Sequence, residues 1–171
     1  MIEYTDDLFE FTDVWELYQY FEAYTKWEKL GDAFGNKVPS LGRVFDLEYG
    51  EFEPIAKKWL ELIGSPTVRR CLYNAFTYED CPKPHTDSHS PEGVTYMIYC
   101  NPDWHAGMGG ETIFLEDGEI VKSIVPKFGR LVKFTSELWH GARPPMKDAP
   151  MRYSLVYQTH PPEPEIMRDL F

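Results

Sequence analysis

Basic residues are in short supply in this chain: 17 Lys and Arg stand against 28 Asp and Glu, a formal charge of -11. A phosphate backbone would meet a repulsive average field, so nucleic acid is not an expected partner. Cysteine is also scarce. Cys71, Cys81 and Cys100 are odd in number and widely spaced, with no Cys-x-x-Cys pair, which argues against a disulfide framework, structural zinc or thiol exchange and suits reduced thiols in a cytoplasmic setting. No apolar run approaches the length of a membrane span, and the acidic opening Met1-Ile2-Glu3-Tyr4-Thr5-Asp6-Asp7 does not resemble a secretory signal. A soluble, unexported chain without a membrane partner is expected. Internal repeats and low-complexity tracts are absent as well.

What the chain does have is size and aromatic content. Its 171 residues suit a single domain over 1–171, and its 16% aromatics, spread along the whole length, suit a β-rich core with an aromatic-lined pocket. Behind a Thr12 cap, Val14, Trp15, Leu17, Tyr18 and Phe21 fall at helical spacing, predicting a helix to about Tyr24. A second is predicted from about Glu53, with Ile55, Trp59, Leu60 and Ile63 on one stripe and Gly64 as its stop. Gly31 to Gly50 reads as loop. Residues 1–66 are thus a helical support.

After Ser65-Pro66 the pattern becomes short β-prone runs over 67–160: Val68 to Phe76, Val94 to Cys100, Glu111 to Leu115, Glu119 to Val125, Leu131 to Phe134 and Arg152 to Thr159. Asp117-Gly118 marks a hairpin and Pro126-Lys127-Phe128-Gly129 a turn. The expected architecture is mainly β, two helices buttressing a sandwich or barrel, with the Pro-rich tail from Pro161 extended.

Pro84-His85-Thr86-Asp87 stands within this region. On an extended segment residues two apart point the same way, so His85 and Asp87 can reach one metal ion. His140, several strands later, supplies a remote third ligand. Two imidazoles and one carboxylate leave half of an octahedron open, the arrangement of iron enzymes that bind a cosubstrate and dioxygen. His89 suits a solvent-facing place or one beside the ligands, His105 lies in a loop, and His160 reads as surface. If the iron chelates a keto acid such as 2-oxoglutarate, its far carboxylate needs a cationic fork in the interior. Arg152 and Ser154 meet that need, because they share one face of an otherwise apolar strand, opposite Tyr153, Leu155 and Tyr157.

The segments Thr95 to Trp104, Gly109-Gly110-Glu111-Thr112-Ile113-Phe114, Pro126 to Phe134 and Arg152-Tyr153-Ser154 occur in this order around the triad. Together, over about Arg69 to Tyr157, they resemble the prolyl-hydroxylase family of 2-oxoglutarate oxygenases. The Asn101-Pro102-Asp103-Trp104 turn is similar to its oxygen-sensing branch, and Gly109 to Thr112 to its collagen-type branch. The resemblance implies a double-stranded β-helix (jelly-roll) core, with Fe(II) on His85, Asp87 and His140 and the 2-oxoglutarate C5 carboxylate on Arg152. It implies Tyr99 as a further contact to that carboxylate, Tyr73 as a tyrosine near the cosubstrate, and Thr95 and Thr112 as pocket-lining residues. Dioxygen is the implied co-reactant, ascorbate a reductant, and a proline-containing peptide or protein the substrate, with free proline or another small amino acid as the alternative. Asp87 argues against a halogenase. Gln158, six positions after Arg152, argues against a nucleic-acid demethylase, which carries arginine there. A cupin-like, non-enzymatic binding module is the alternative of another class. The twelve-residue step from His140 to Arg152 is longer than in close relatives, and an insertion at Pro144 to Asp148 would absorb it.

Overall fold

The computed structural model describes residues 1–30, 40–46, 51–80 and 82–159, with backbone alone at 29–30 and 40–46. The strands are β1 (Ile2–Thr5), β2 (Glu28–Leu30), β3 (Ser40–Asp46), β4 (Val68–Phe76), β5 (Val94–Tyr99), β6 (Thr112–Glu116), β7 (Glu119–Ile124), β8 (Leu131–Thr135), β9 (Trp139–Ala142) and β10 (Arg152–Thr159). Two helices, α1 (Phe11–Ala23) and α2 (Pro54–Leu62), accompany them. The strands form a seven-stranded sheet, β1-β8-β5-β10-β4-β3-β2, and a three-stranded sheet, β7-β6-β9, and their pairings are antiparallel.

β10 lies between β4 and β5 and is buried on both faces. Tyr153, Leu155 and Tyr157 join Cys71, Tyr73 and Ala75 of β4 in a core shared with α1 and α2. Val14, Leu17 and Phe21 of α1, all essentially inaccessible to solvent, pack into it. Each such burial contributes about 1.5–3 kcal/mol, far more than the intrinsic preference of any residue for helix, so packing holds α1 in place. In α2 the Tyr157 hydroxyl donates to the Ala56 carbonyl at 2.6 Å, tying the helix to the centre of the sheet. The other face of the large sheet carries Met97, Tyr99, Val132, Phe134 and Val156, which pack with Phe114 and Ile124 of the small sheet. Arg152 and Ser154 point into the same space.

The sequence reading needs four corrections here. Thr12 is not the cap of α1: the helix begins at Phe11, and Glu10 supplies the cap position without a side-chain hydrogen bond. The stretch read as loop from Gly31 to Gly50 contains β3, whose pairing with β4 from Leu41↔Ala75 to Asp46↔Arg70 supplies the backbone partners that a glycine-interrupted run does not advertise. The remainder of that stretch lies outside the described residues, as do Cys81, His160 and the tail from Pro161. The third is β9, four residues long and held by β6, which is not an expected strand; nor are β1 and β2, which with β3 put part of the large sheet within the supposed helical support of residues 1–66. Finally, His85 to Asp87 is not a strand: only His85 forms a bridge, to His140. The helix stop and the hairpin hold. Gly64 has φ 93°, and Ser65 N–H donates to the Leu60 carbonyl and Gly64 N–H to that of Glu61, the bonding of a Schellman end. Asp117 and Gly118 both have positive φ, as the tight β6–β7 turn requires.

Candidate metal and cosubstrate site

The His85–His140 bridge is what brings the remote histidine to the loop. Each backbone N–H donates to the other's carbonyl, at 2.8 and 2.9 Å, and β9 is held to β6 on its other side. Asp87 is tied differently: its N–H donates to the Ser136 carbonyl at 2.9 Å. One donor atom from each of His85, Asp87 and His140 then lies within 4.8 Å of the others. The His85 and His140 Nε2 atoms each stand 3.6 Å from a different oxygen of Asp87. His85 Nδ1 faces the Lys83 carbonyl at 3.0 Å and His140 Nδ1 that of Leu138 at 2.9 Å. A carbonyl only accepts, so both Nδ1 atoms carry the proton and both Nε2 lone pairs turn toward Asp87.

Electrostatics agree with that arrangement. Burial alone would raise the Asp87 carboxyl, but His85, His140 and the Thr95 hydroxyl, at 2.7 Å from Oδ2, together hold it below its ordinary value. Burial pushes His140 down, outweighing the attraction of Asp87. The His85 side chain, half-exposed, is pulled up by its contact with Asp87. An ionised carboxylate beside a neutral buried imidazole is a ligating state, not a salt bridge. His89 and His105 are exposed and stand apart: His105 caps a short turn, its Nδ1 accepting the Gly107 N–H.

On the same face, Arg152 is 1% exposed. Its Nη2 donates to Thr112 Oγ1 at 3.1 Å, while Nε and Nη1 have no hydrogen-bond partner among the described residues. Its guanidinium lies 4.8 Å from the Tyr99 ring centre and 5.2 Å from that of Phe76. No carboxylate among the described residues pairs with it. Ser154, directly across from Tyr99, is fully buried, and its hydroxyl has no partner among the described residues. The Tyr99 hydroxyl and Thr112 Oγ1 are 2.6 Å apart. A buried cation without an anion costs several kcal/mol, so this cluster is built for an anionic guest.

The fold therefore brings together Arg152, Ser154, Tyr99 and Thr112, and separately the three metal-type ligands. Two residues stand elsewhere than expected. Tyr73 shares the face of Leu155, packed against Phe21 and Tyr24 beneath the helices, because alternation along β4 turns it away from the pocket. Thr95 faces the pocket but serves Asp87, not the Arg152 cluster. Three residues were missed. Ser136 is buried, bonds Thr95 at 2.9 Å and takes the Asp87 and Ser88 amides on its carbonyl. Phe76 covers Arg152. Asn101 bridges to β10, donating to the Met151 carbonyl and accepting the Tyr153 N–H at 2.6 Å. Only Asn101 left a trace in the sequence, as part of the Asn101 to Trp104 motif.

The family model of the 2OG-Fe(II) oxygenase superfamily matches residues 73–160, more than half of the chain. This chain belongs to that superfamily. It is therefore an oxidoreductase of the class that uses Fe(II), 2-oxoglutarate and dioxygen. Solved structures share its double-stranded β-helix. A prolyl-4-hydroxylase from Pseudomonas putida superposes with a TM-score of 0.72 at 17% identity, over 94% of this chain and 92% of its own. A prolyl hydroxylase from Trichoplax adhaerens, in complex with a hypoxia inducible factor oxygen degradation domain peptide fragment, gives 0.64 at 20% identity, over 92% and 83%. HygX from Streptomyces hygroscopicus, with nickel and 2-oxoglutarate bound, gives 0.62 at 9% identity, over 95% and 83%. No curated protein matches by sequence. The donors present fit the superfamily's groups: two Nε2 lone pairs and an ionised carboxylate suit a divalent iron, and the orphaned Arg152 nitrogens and Ser154 hydroxyl suit a carboxylate.

Proposed function

We propose that this protein hydroxylates a C–H bond of a prolyl residue in a peptide or protein, with His85, Asp87 and His140 holding the iron. Arg152, Ser154, Tyr99 and Thr112 hold the C5 carboxylate of 2-oxoglutarate. The observation that carries the reading is Arg152, a fully buried guanidinium with two donors unspent among the described residues, on the sheet face that also carries Thr95, the hydrogen-bond partner of Asp87. The likeness to two prolyl hydroxylases, one with a bound peptide, supports the substrate class.

When bound, iron(II) with 2-oxoglutarate and dioxygen supplies oxidative decarboxylation to succinate and carbon dioxide, coupled to hydroxylation of the substrate. The protein's own contribution is placement. Thr95 and Ser136 fix the Asp87 carboxylate, the Lys83 and Leu138 carbonyls fix the imidazole tautomers, and the aromatic faces of Phe76 and Tyr99 exclude water from Arg152. Ascorbate serves as an external reductant. Succinate release and a mass gain of one oxygen, measured across proline-containing peptides and free amino acids, test the substrate. Turnover of peptides with the oxygen on proline is expected; oxygen found only on a free amino acid would overturn it.

A further inference from the structure

Gln158 closes the pocket face of β10, after Arg152, Ser154 and Val156. It is 6% exposed, and its Oε1 is buried without a hydrogen-bond partner among the described residues. An unsatisfied buried acceptor costs about 1–3 kcal/mol, so a missing donor is the feature to explain.

Its position says where that donor comes from. Gln158 is directly across from Thr95, whose hydroxyl holds Asp87, so it stands at the metal end of the pocket. Arg152 begins six residues back on the same strand, about 20 Å of backbone at ~3.3 Å per residue, and its guanidinium lies over the Tyr99 ring, level with Ser154. The C5 carboxylate held there is at the opposite end of the cosubstrate from Gln158. Carboxylates only accept, so an acceptor beside the metal ligands finds its donor in the substrate and not in 2-oxoglutarate.

We infer that Gln158 is a specificity-determining residue whose carboxamide oxygen accepts a backbone amide N–H of the substrate peptide, beside the target proline. This rests on the prolyl reading above. An uncharged acceptor matches a neutral amide; the ammonium of a free amino acid would be better met by a carboxylate. A peptidyl proline has no N–H of its own; of the two flanking amides, that of the residue after it is assigned as the donor.

The test uses the full chain loaded anaerobically with Fe(II) and 2-oxoglutarate, reading the change in its visible charge-transfer band as probes are added. The probes are acetylated, C-amidated Ala-Pro-Ala, its analogue with an ester in place of the amide after proline, and free L-proline. In the wild type the ester should bind about tenfold more weakly than the amide, the loss of one good hydrogen bond. Q158L should lose about the same factor toward the amide, cease to distinguish the two, and keep wild-type affinity for 2-oxoglutarate, which also reports that it is folded. Amide binding by Q158L within about twofold of wild type, or equal amide and ester binding by the wild type, overturns the assignment while sparing the prolyl reading. The amide and ester comparison needs no variant, so it decides even if Q158L does not fold. Weakened 2-oxoglutarate binding in Q158L would instead make Gln158 a cosubstrate residue. A response to free L-proline alone, or to none of the probes, overturns the peptide reading and this assignment with it.

Discussion

Each of the three candidate iron ligands has a local contact that sets its direction. Asp87 is the clearest case: its amide is fixed by the Ser136 carbonyl, and its Oδ2 by the Thr95 hydroxyl, itself 2.9 Å from Ser136 Oγ. Thr95→Val keeps the shape of the side chain and removes that bond. Affinity for Fe(II) should fall by about tenfold, as for other outer contacts to metal ligands, with thermal stability reduced by about 1 kcal/mol at most. A competition titration against a chelator measures it, and unchanged affinity would mean that Thr95 is only packing. The Arg152-Ser154 pair was legible in the sequence because it needs only two-residue alternation along a strand; the His-x-Asp pair was legible from its spacing and the motifs around it, although its segment is a loop held at His85 by a single bridge. Thr95 was legible as a pocket residue but not as the support of Asp87, since a hydroxyl's partner across a sheet depends on register.

At the scale of elements, alternation also explains what was misread. The expectation for Tyr73 depended on which face of β4 it occupied, and that was set by pairing with β10, where Tyr73 meets Leu155 and not Ser154. β9 and β3 were invisible for a related reason: each is interrupted by a glycine, and each is held by backbone bonds to other strands, β9 to β6 and β3 to β2 and β4. The β4, β7 and β10 runs and both helices carried their own periodicity and were legible. In the sequence Gly109-Gly110 stands out only as part of a family motif, yet a Cβ on Gly110 would sit 3.0 Å from the Trp104 ring and 3.2 Å from Arg152 Cδ, at φ 74°. The turn into β6 is therefore also the floor under the guanidinium. Gly110→Ala should cost about 2 kcal/mol, from the left-handed backbone and the crowded contact together, and weaken 2-oxoglutarate binding as Arg152 shifts. Urea denaturation and a binding isotherm on the same protein check both, and a stable variant with wild-type affinity would count against the floor.

Over the whole molecule, the helices cover one face of the large sheet and β1 forms one of its edges. None of the described helices is long and apolar enough to cross a membrane. Just after β1, Asp6 accepts from Arg130 Nε at 2.7 Å and Nη2 at 2.9 Å and from Lys127 Nζ at 3.0 Å, while Arg130 lies over the Tyr4 ring. The Arg130 bonds, with help from Lys127 and against partial burial, lower the Asp6 carboxyl from 3.8 to about 2. A depressed carboxylate stabilises the fold above its unfolded value and loses that contribution as pH falls through the folded one. Asp6→Asn should thus lower stability by about 1 kcal/mol at neutral pH, a figure discounted for its partial exposure, and the gap should close between about pH 4 and pH 2. Urea midpoints for the two proteins across that range give the comparison; a constant gap would place the effect outside the ion pair.

The central claim is that the ligand triad and the buried Arg152 form one site, the first for iron and the second for the far carboxylate of its cosubstrate. An anaerobic titration of the Fe(II)-loaded protein with 2-oxoglutarate, followed by its visible charge-transfer band, tests this most directly. The band should appear in the wild type and be absent in His140→Ala. In Arg152→Ala it should require at least about thirtyfold more 2-oxoglutarate, the cost of removing one partner of a buried charge pair, while Fe(II) affinity stays the same. No band in the metal-loaded wild type, or equal losses of iron and 2-oxoglutarate binding in Arg152→Ala, would contradict it.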